Sequence, residues 1–111
     1  MKRLHNWFRK KLGWLLPPQY SVEERAEDEP PVKLNGRKVY LLGSPNPDIA
    51  CLKCPGGCGK LIFLDLDENA SIKWRIVKKN RLTIHPSIWN TLDCTCHFWI
   101  IRGEVKWCND I

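Results

Sequence analysis

"HFWIIRGEVKWC", residues 97–108, decides how this chain folds. His97 to Ile101 is rich in aromatic and β-branched residues, and Glu104 to Trp107 alternates polar with apolar, as half-buried strands do. Between the two runs stand only Arg102 and Gly103. A two-residue connection with glycine second reads as a tight β-hairpin, although Asn or Asp suits the first turn position better than arginine. One hairpin needs further strands before it is stable, so the segments upstream should supply them.

They do. "RLTIH", 81–85, reads as a short strand stopped by Pro86, and "PSIWNTLDC", 86–94, as a loop or one helical turn. "SIKWRIV", 71–77, alternates with Ile72, Trp74 and Ile76 on one side. "KLIFLDLDENA", 60–70, sets Ile62, Leu64 and Leu66 on one face before a turn at its end. "RKVYLL", 37–42, is a further strand, and "GSPNPD" stops it. Residues 34–111 are therefore expected to be a small, mostly β, mostly antiparallel domain.

The N-terminus has a different texture. Residues 1–16 hold Lys2, Arg3, Arg9, Lys10 and Lys11 and no acid. Leu4, Trp7, Phe8, Leu12 and Leu15 recur at helical spacing until Pro17 and Pro18 end the pattern. The spacing predicts an amphipathic basic helix. Trp7, Phe8 and Trp14 are its expected partner-binding residues, since aromatic side chains anchor interfaces. Residues 17–33 carry four prolines and five acids and read as a solvated acidic linker.

The chain has 111 residues and a formal charge of +6. That charge permits nucleic acid, an anionic membrane or an acidic protein as partner, and selects none. No stretch approaches the roughly 20 apolar residues of a membrane span, and the N-terminus lacks the continuous apolar core of a secretory signal. A cytoplasmic location is expected. There, clustered cysteines more often bind metal than form disulfides.

The candidate ligands form two clusters, Cys51, Cys54 and Cys58 in "CLKCPGGCGK", and Cys94, Cys96 and His97. Two knuckles, each supplying two ligands, satisfy tetrahedral zinc. Spacing allows Cys51 with Cys54 or Cys54 with Cys58, and Cys94 with Cys96 or with His97. The glycines between Cys54 and Cys58 suit a tight turn, and a one-residue gap is awkward for two ligands on one ion. The expected site is Cys54, Cys58, Cys94 and His97, with zinc as the cofactor. Iron–sulfur ligation is the minor alternative, and Cys51, Cys96 and Cys108 receive no role. The expected fold is thus a small antiparallel zinc-ribbon-like domain with an N-terminal amphipathic helix.

"CPGGCGKLIFLDLD", Trp74 and "LTIHPSIWNTLDCTCHFWIIRGEVKW" resemble the bacterial domain of unknown function 6527. The matching positions are Cys54, Pro55 and Cys58, then Cys94, His97, Phe98 and Ile100, within roughly residues 38–108. Gly56 and Cys96 depart from its pattern, replacing a cysteine and a serine. The resemblance implies a neighbourhood of ubiquitin-like proteins and their activating-like and conjugating-like enzymes. These are the expected protein partners.

Four zinc ligands would leave no open position for catalytic water, and no glutamate follows His97 as a general base would. The expected function is a non-catalytic adaptor in a bacterial ubiquitin-like conjugation system. Two alternatives stand beside it. The basic run Lys73, Arg75, Lys78, Lys79 and Arg81 with Trp74 suggests a nucleic-acid-binding zinc ribbon, although its alternation with Ile72 and Ile76 also fits a plain solvent face. A zinc-dependent hydrolase or deaminase-like enzyme is the other.

Overall fold

A computed structural model describes residues 20–90 and 95–108. The described chain is all β. Its strands are β1 (Ser21–Arg25), β2 (Lys38–Leu42), β3 (Ile49–Lys53), β4 (Leu61–Asp65), β5 (Arg75–Val77), β6 (Thr83–Asn90), β7 (Cys96–Ile101) and β8 (Glu104–Trp107). They form two four-stranded sheets, in the orders β1-β2-β3-β4 and β5-β6-β7-β8. Only β1 and β2 are parallel; every other neighbour is antiparallel.

Period-two alternation builds the core between the sheets. In the first sheet Val39, Leu41, Ala50, Leu52 and Leu64 face inward, in register across β2, β3 and β4. From the second come Ile84, Ile88, Phe98 and Ile100, and all nine belong to one buried cluster. The outer face of the first sheet carries a small second cluster of Tyr40, Leu42 and Cys51, covered by Leu34.

Four features differ from the expectations. The described residues form a pair of sheets around a shared core, and no zinc ribbon is seen among them. The segment expected to be a linker contains β1, which pairs with β2 from Ser21 to Arg25. Beside it Tyr20 is buried and donates its hydroxyl to the Lys53 carbonyl at 2.9 Å. Its acidic composition concealed this, because an edge strand buries little and tolerates Glu23 and Glu24 on its open side. Next, "IACLK" is a strand, β3, so Cys51 belongs to a sheet rather than to a knuckle. Finally, the expected loop at 86–94 begins as strand. β6 runs through Pro86 to Asn90. Proline is tolerated there because β5 pairs only with Thr83 to His85, which leaves Pro86 at an irregular, edge-like position.

The hairpin of β7 and β8 is as the sequence suggests, with Arg102 at φ 51° and Gly103 at φ 80°. The expected helix at 1–16, with Trp7, Phe8 and Trp14, lies outside the described residues. Among the described residues no helix is long and apolar enough to cross a membrane.

Candidate active site

The second sheet turns one face to the core and the other outward. On β7, Cys96, Phe98 and Ile100 are buried, so His97 and Trp99 lie on the outer face. On β6, Ile84 and Ile88 point inward. The register shifts between them: Ile84 pairs with Ile100 and Ile88 with Phe98, so four steps along β6 match two along β7. The three residues His85 to Ser87 thus face Trp99 alone, two more than the register needs, and form an extended bulge. Bulges re-aim side chains, and they recur beside active sites.

Here the bulge brings Ser87 onto His97. Ser87 Oγ lies 2.7 Å from His97 Nε2. Both residues are half-buried. If Ser87 donates this hydrogen bond, Nε2 is the bare nitrogen and the ring carries its proton on Nδ1. Trp89, the cross-strand partner of His97, stacks on the imidazole with centroids 4.6 Å apart and planes 2° apart. Trp89 nevertheless remains 59% exposed, so it covers one ring face while the site stays open to solvent. The main chain of His97 is tied on its far side, where its carbonyl accepts the Cys108 N–H at 2.9 Å. A hydroxyl within hydrogen-bond distance of an imidazole nitrogen on the neighbouring strand is the pairing that a serine nucleophile and its general base use.

Of the four expected zinc ligands, Cys54 is buried and Cys58 half-buried at the turn after β3, and Cys94 lies outside the described residues. His97 sits against Ser87. Gly56 donates its N–H to Cys54 Sγ at 3.4 Å, and Asn90 Nδ2 approaches Cys58 Sγ at 3.9 Å. Gly57 and Gly59 adopt the positive φ expected of a tight knuckle, 89° and 75°. Among the described residues, no three His, Cys, Asp or Glu side chains converge to hold a metal ion. Cys51 is fully buried in β3, and burial pushes its thiol up, partly opposed by the nearby Arg25 guanidinium. Trp74, beside the basic run, is half-buried against the core.

Ser87 was not legible as a site residue. Reading Pro86 as a stop hid the outward-facing positions beyond it, and His97 was read through the cysteines next to it. The available signal was a serine and a histidine on what prove to be adjacent strands.

A family model described as "Bacterial ubiquitination-like system serine protease (BubE)" matches residues 25–108. That match replaces the resemblance to domain of unknown function 6527, which is set aside. No curated protein and no solved structure matches the chain.

Proposed function

Because the chain belongs to the family of bacterial ubiquitination-like system serine proteases and is a component of such a system, we propose that it is itself the peptidase, with Ser87 as nucleophile and His97 as general base. The observation that carries this reading is the 2.7 Å contact between Ser87 Oγ and His97 Nε2. The substrate we propose is a ubiquitin-like protein, as a precursor or a conjugate, cleaved in the cytoplasm.

The chemistry follows from the geometry. Ser87 Oγ attacks the scissile carbonyl carbon as its proton passes to Nε2 of His97. The imidazolium gives that proton to the departing amine, leaving an acyl ester on Ser87. Water, deprotonated by His97, then attacks the ester. The acid product leaves and Ser87 regains its proton. Trp89 stacks on the ring that becomes cationic midway, where an aromatic face is favourable.

In this reading the adaptor role gives way, since it rested on His97 completing a closed metal site. Zinc at Cys54, Cys58, Cys94 and His97 stays a separate proposal, supported by the N–H donated to Cys54 Sγ. The two compete for His97, because Nε2 cannot both ligate a metal and take the Ser87 proton.

A fluorophosphonate probe on the intact chain tests the proposal. Labelling should map to Ser87 and vanish in Ser87→Ala. His97→Ala should reduce it, and hydrolysis of a ubiquitin-like fusion, by at least about 10³-fold. Zinc retained in His97→Ala would assign His97 to Ser87. Hydrolysis that persists in Ser87→Ala but stops with a chelator would overturn the serine mechanism and favour the zinc hydrolase.

A further inference from the structure

At the end of the second sheet farther from Asn90, the β5–β6 turn meets the β7–β8 turn. Lys79, Asn80, Arg81, Thr83 and Arg102 line a cavity of about 580 Å³ there. Its walls are tied together. Gly103 donates its N–H to the Leu82 carbonyl at 2.6 Å, and Arg102 donates its N–H to Thr83 Oγ1 at 2.9 Å. Three cationic side chains line it and no acidic one does. The neighbouring Lys78 pairs with Glu24 at 3.4 Å, whereas Lys79, Arg81 and Arg102 take part in no ion pair among the described residues.

The backbone makes this charge costly to keep. Asn80, Arg81 and Arg102 all have positive φ, 57°, 73° and 51°. Asparagine is at home there, but for arginine the left-handed region is strained. Asn or Gly would relieve the strain at Arg81 and Arg102. Two separate turns instead hold arginine in an unfavourable conformation, and both arginines line one pocket. Strain of this kind points to function.

We infer that this pocket docks an acidic segment of the protein substrate, beside the Ser87–His97 pair; the word substrate here rests on the peptidase reading above. Thr83 lies four residues before Ser87 on β6, within about 13 Å along the strand, so one extended chain can reach both. Carboxylates suit the pocket better than nucleic acid does. Its lining holds no aromatic residue on which a base could stack, and three cations fall short of the long phosphate track that nucleic-acid binders use.

The test is direct binding to the intact Ser87→Ala chain, which cannot turn over, so the result does not depend on catalysis. The probes are a fluorescein-labelled peptide rich in glutamate, its glutamine counterpart and an oligothymidylate of equal length. The glutamate peptide should bind. Its affinity should fall by roughly ten-fold or more in the Arg81→Asn, Arg102→Asn double variant, and also as salt rises. The double variant should melt no lower than its parent, because asparagine tolerates both turns. Equal binding of the glutamine peptide, or undiminished binding by the double variant, would overturn the inference. Tighter binding of the oligothymidylate, lost in the double variant, would assign the pocket to nucleic acid instead.

Discussion

At the scale of single residues, the proposed site depends on Trp89 as well as on the Ser87–His97 pair. Its ring stacks on the His97 imidazole and, in the proposed mechanism, would face the charge formed there. Trp89→Ala should lower kcat of a hydrolysed fusion by about two- to five-fold, the loss of roughly 0.5–1 kcal/mol of cation–π stabilisation. Trp89→Phe should recover most of it, with an unchanged melting temperature in both variants. Tyr20 shows a different kind of dependence. Burial pushes its phenol up to about 12, with a smaller contribution from Cys54, so it stays a protonated donor to the Lys53 carbonyl at neutral pH. Tyr20→Phe keeps the packing and removes that hydrogen bond. Urea denaturation should show a loss of about 1 kcal/mol.

At the scale of elements, β6 joins fold to chemistry. Its first three residues pair with β5, and its bulge turns Ser87 toward His97. The same strand shows why a proline is an ambiguous boundary in sequence. It forbids a helix interior, yet at a bulge it costs a strand little. β1 carries the second lesson. Val22 packs on the core just before Glu23 and Glu24, and Tyr20 N–H reaches the Gly103 carbonyl at 2.8 Å, linking the two sheets. Deleting residues through Arg25 should therefore destabilise the domain by at least about 3 kcal/mol, from the lost burial of Tyr20 and Val22. Chemical denaturation of the shortened chain checks this. A truncation without effect would return the segment to the role of linker.

For the whole molecule, the main buried cluster joins both sheets, and only the small outer cluster of Tyr40, Leu42 and Cys51 belongs to the first sheet alone. Unfolding should be a single transition. Phe98, fully buried in the second sheet, touches this shared interior and meets Trp107 edge-on at 5.7 Å. Phe98→Ala should cost about 3–5 kcal/mol. Amide exchange should then rise at Leu52 in the first sheet as well as at Ile84 in the second. Protection kept at Leu52 alone would show two independent units.

Among the described residues from 34 onward, the sequence by itself determined the mostly β character, the hairpin around Arg102 and Gly103, and the inward positions Ile62, Leu64, Leu66, Trp74 and Ile76, but not Ile72, which is exposed. Each of these rests on local physics, either the period of two or the few residues a tight turn accepts. Of the glycines expected to take positive φ around Cys54 and Cys58, Gly57 and Gly59 do and Gly56 does not. What only the tertiary structure decided is which strands become neighbours and what His97 touches. Cysteines beside it in sequence suggested a metal, while its contact in space is a serine ten residues earlier, delivered by a bulge that no local pattern announces. Arg81 and Arg102, on turns separated by twenty residues of chain, likewise become one pocket only when antiparallel β6 and β7 bring the end of one strand beside the start of the other. Local preferences set the conformation of each segment, but a site is made by contacts between segments distant in the chain, and those are settled by burial of the shared core.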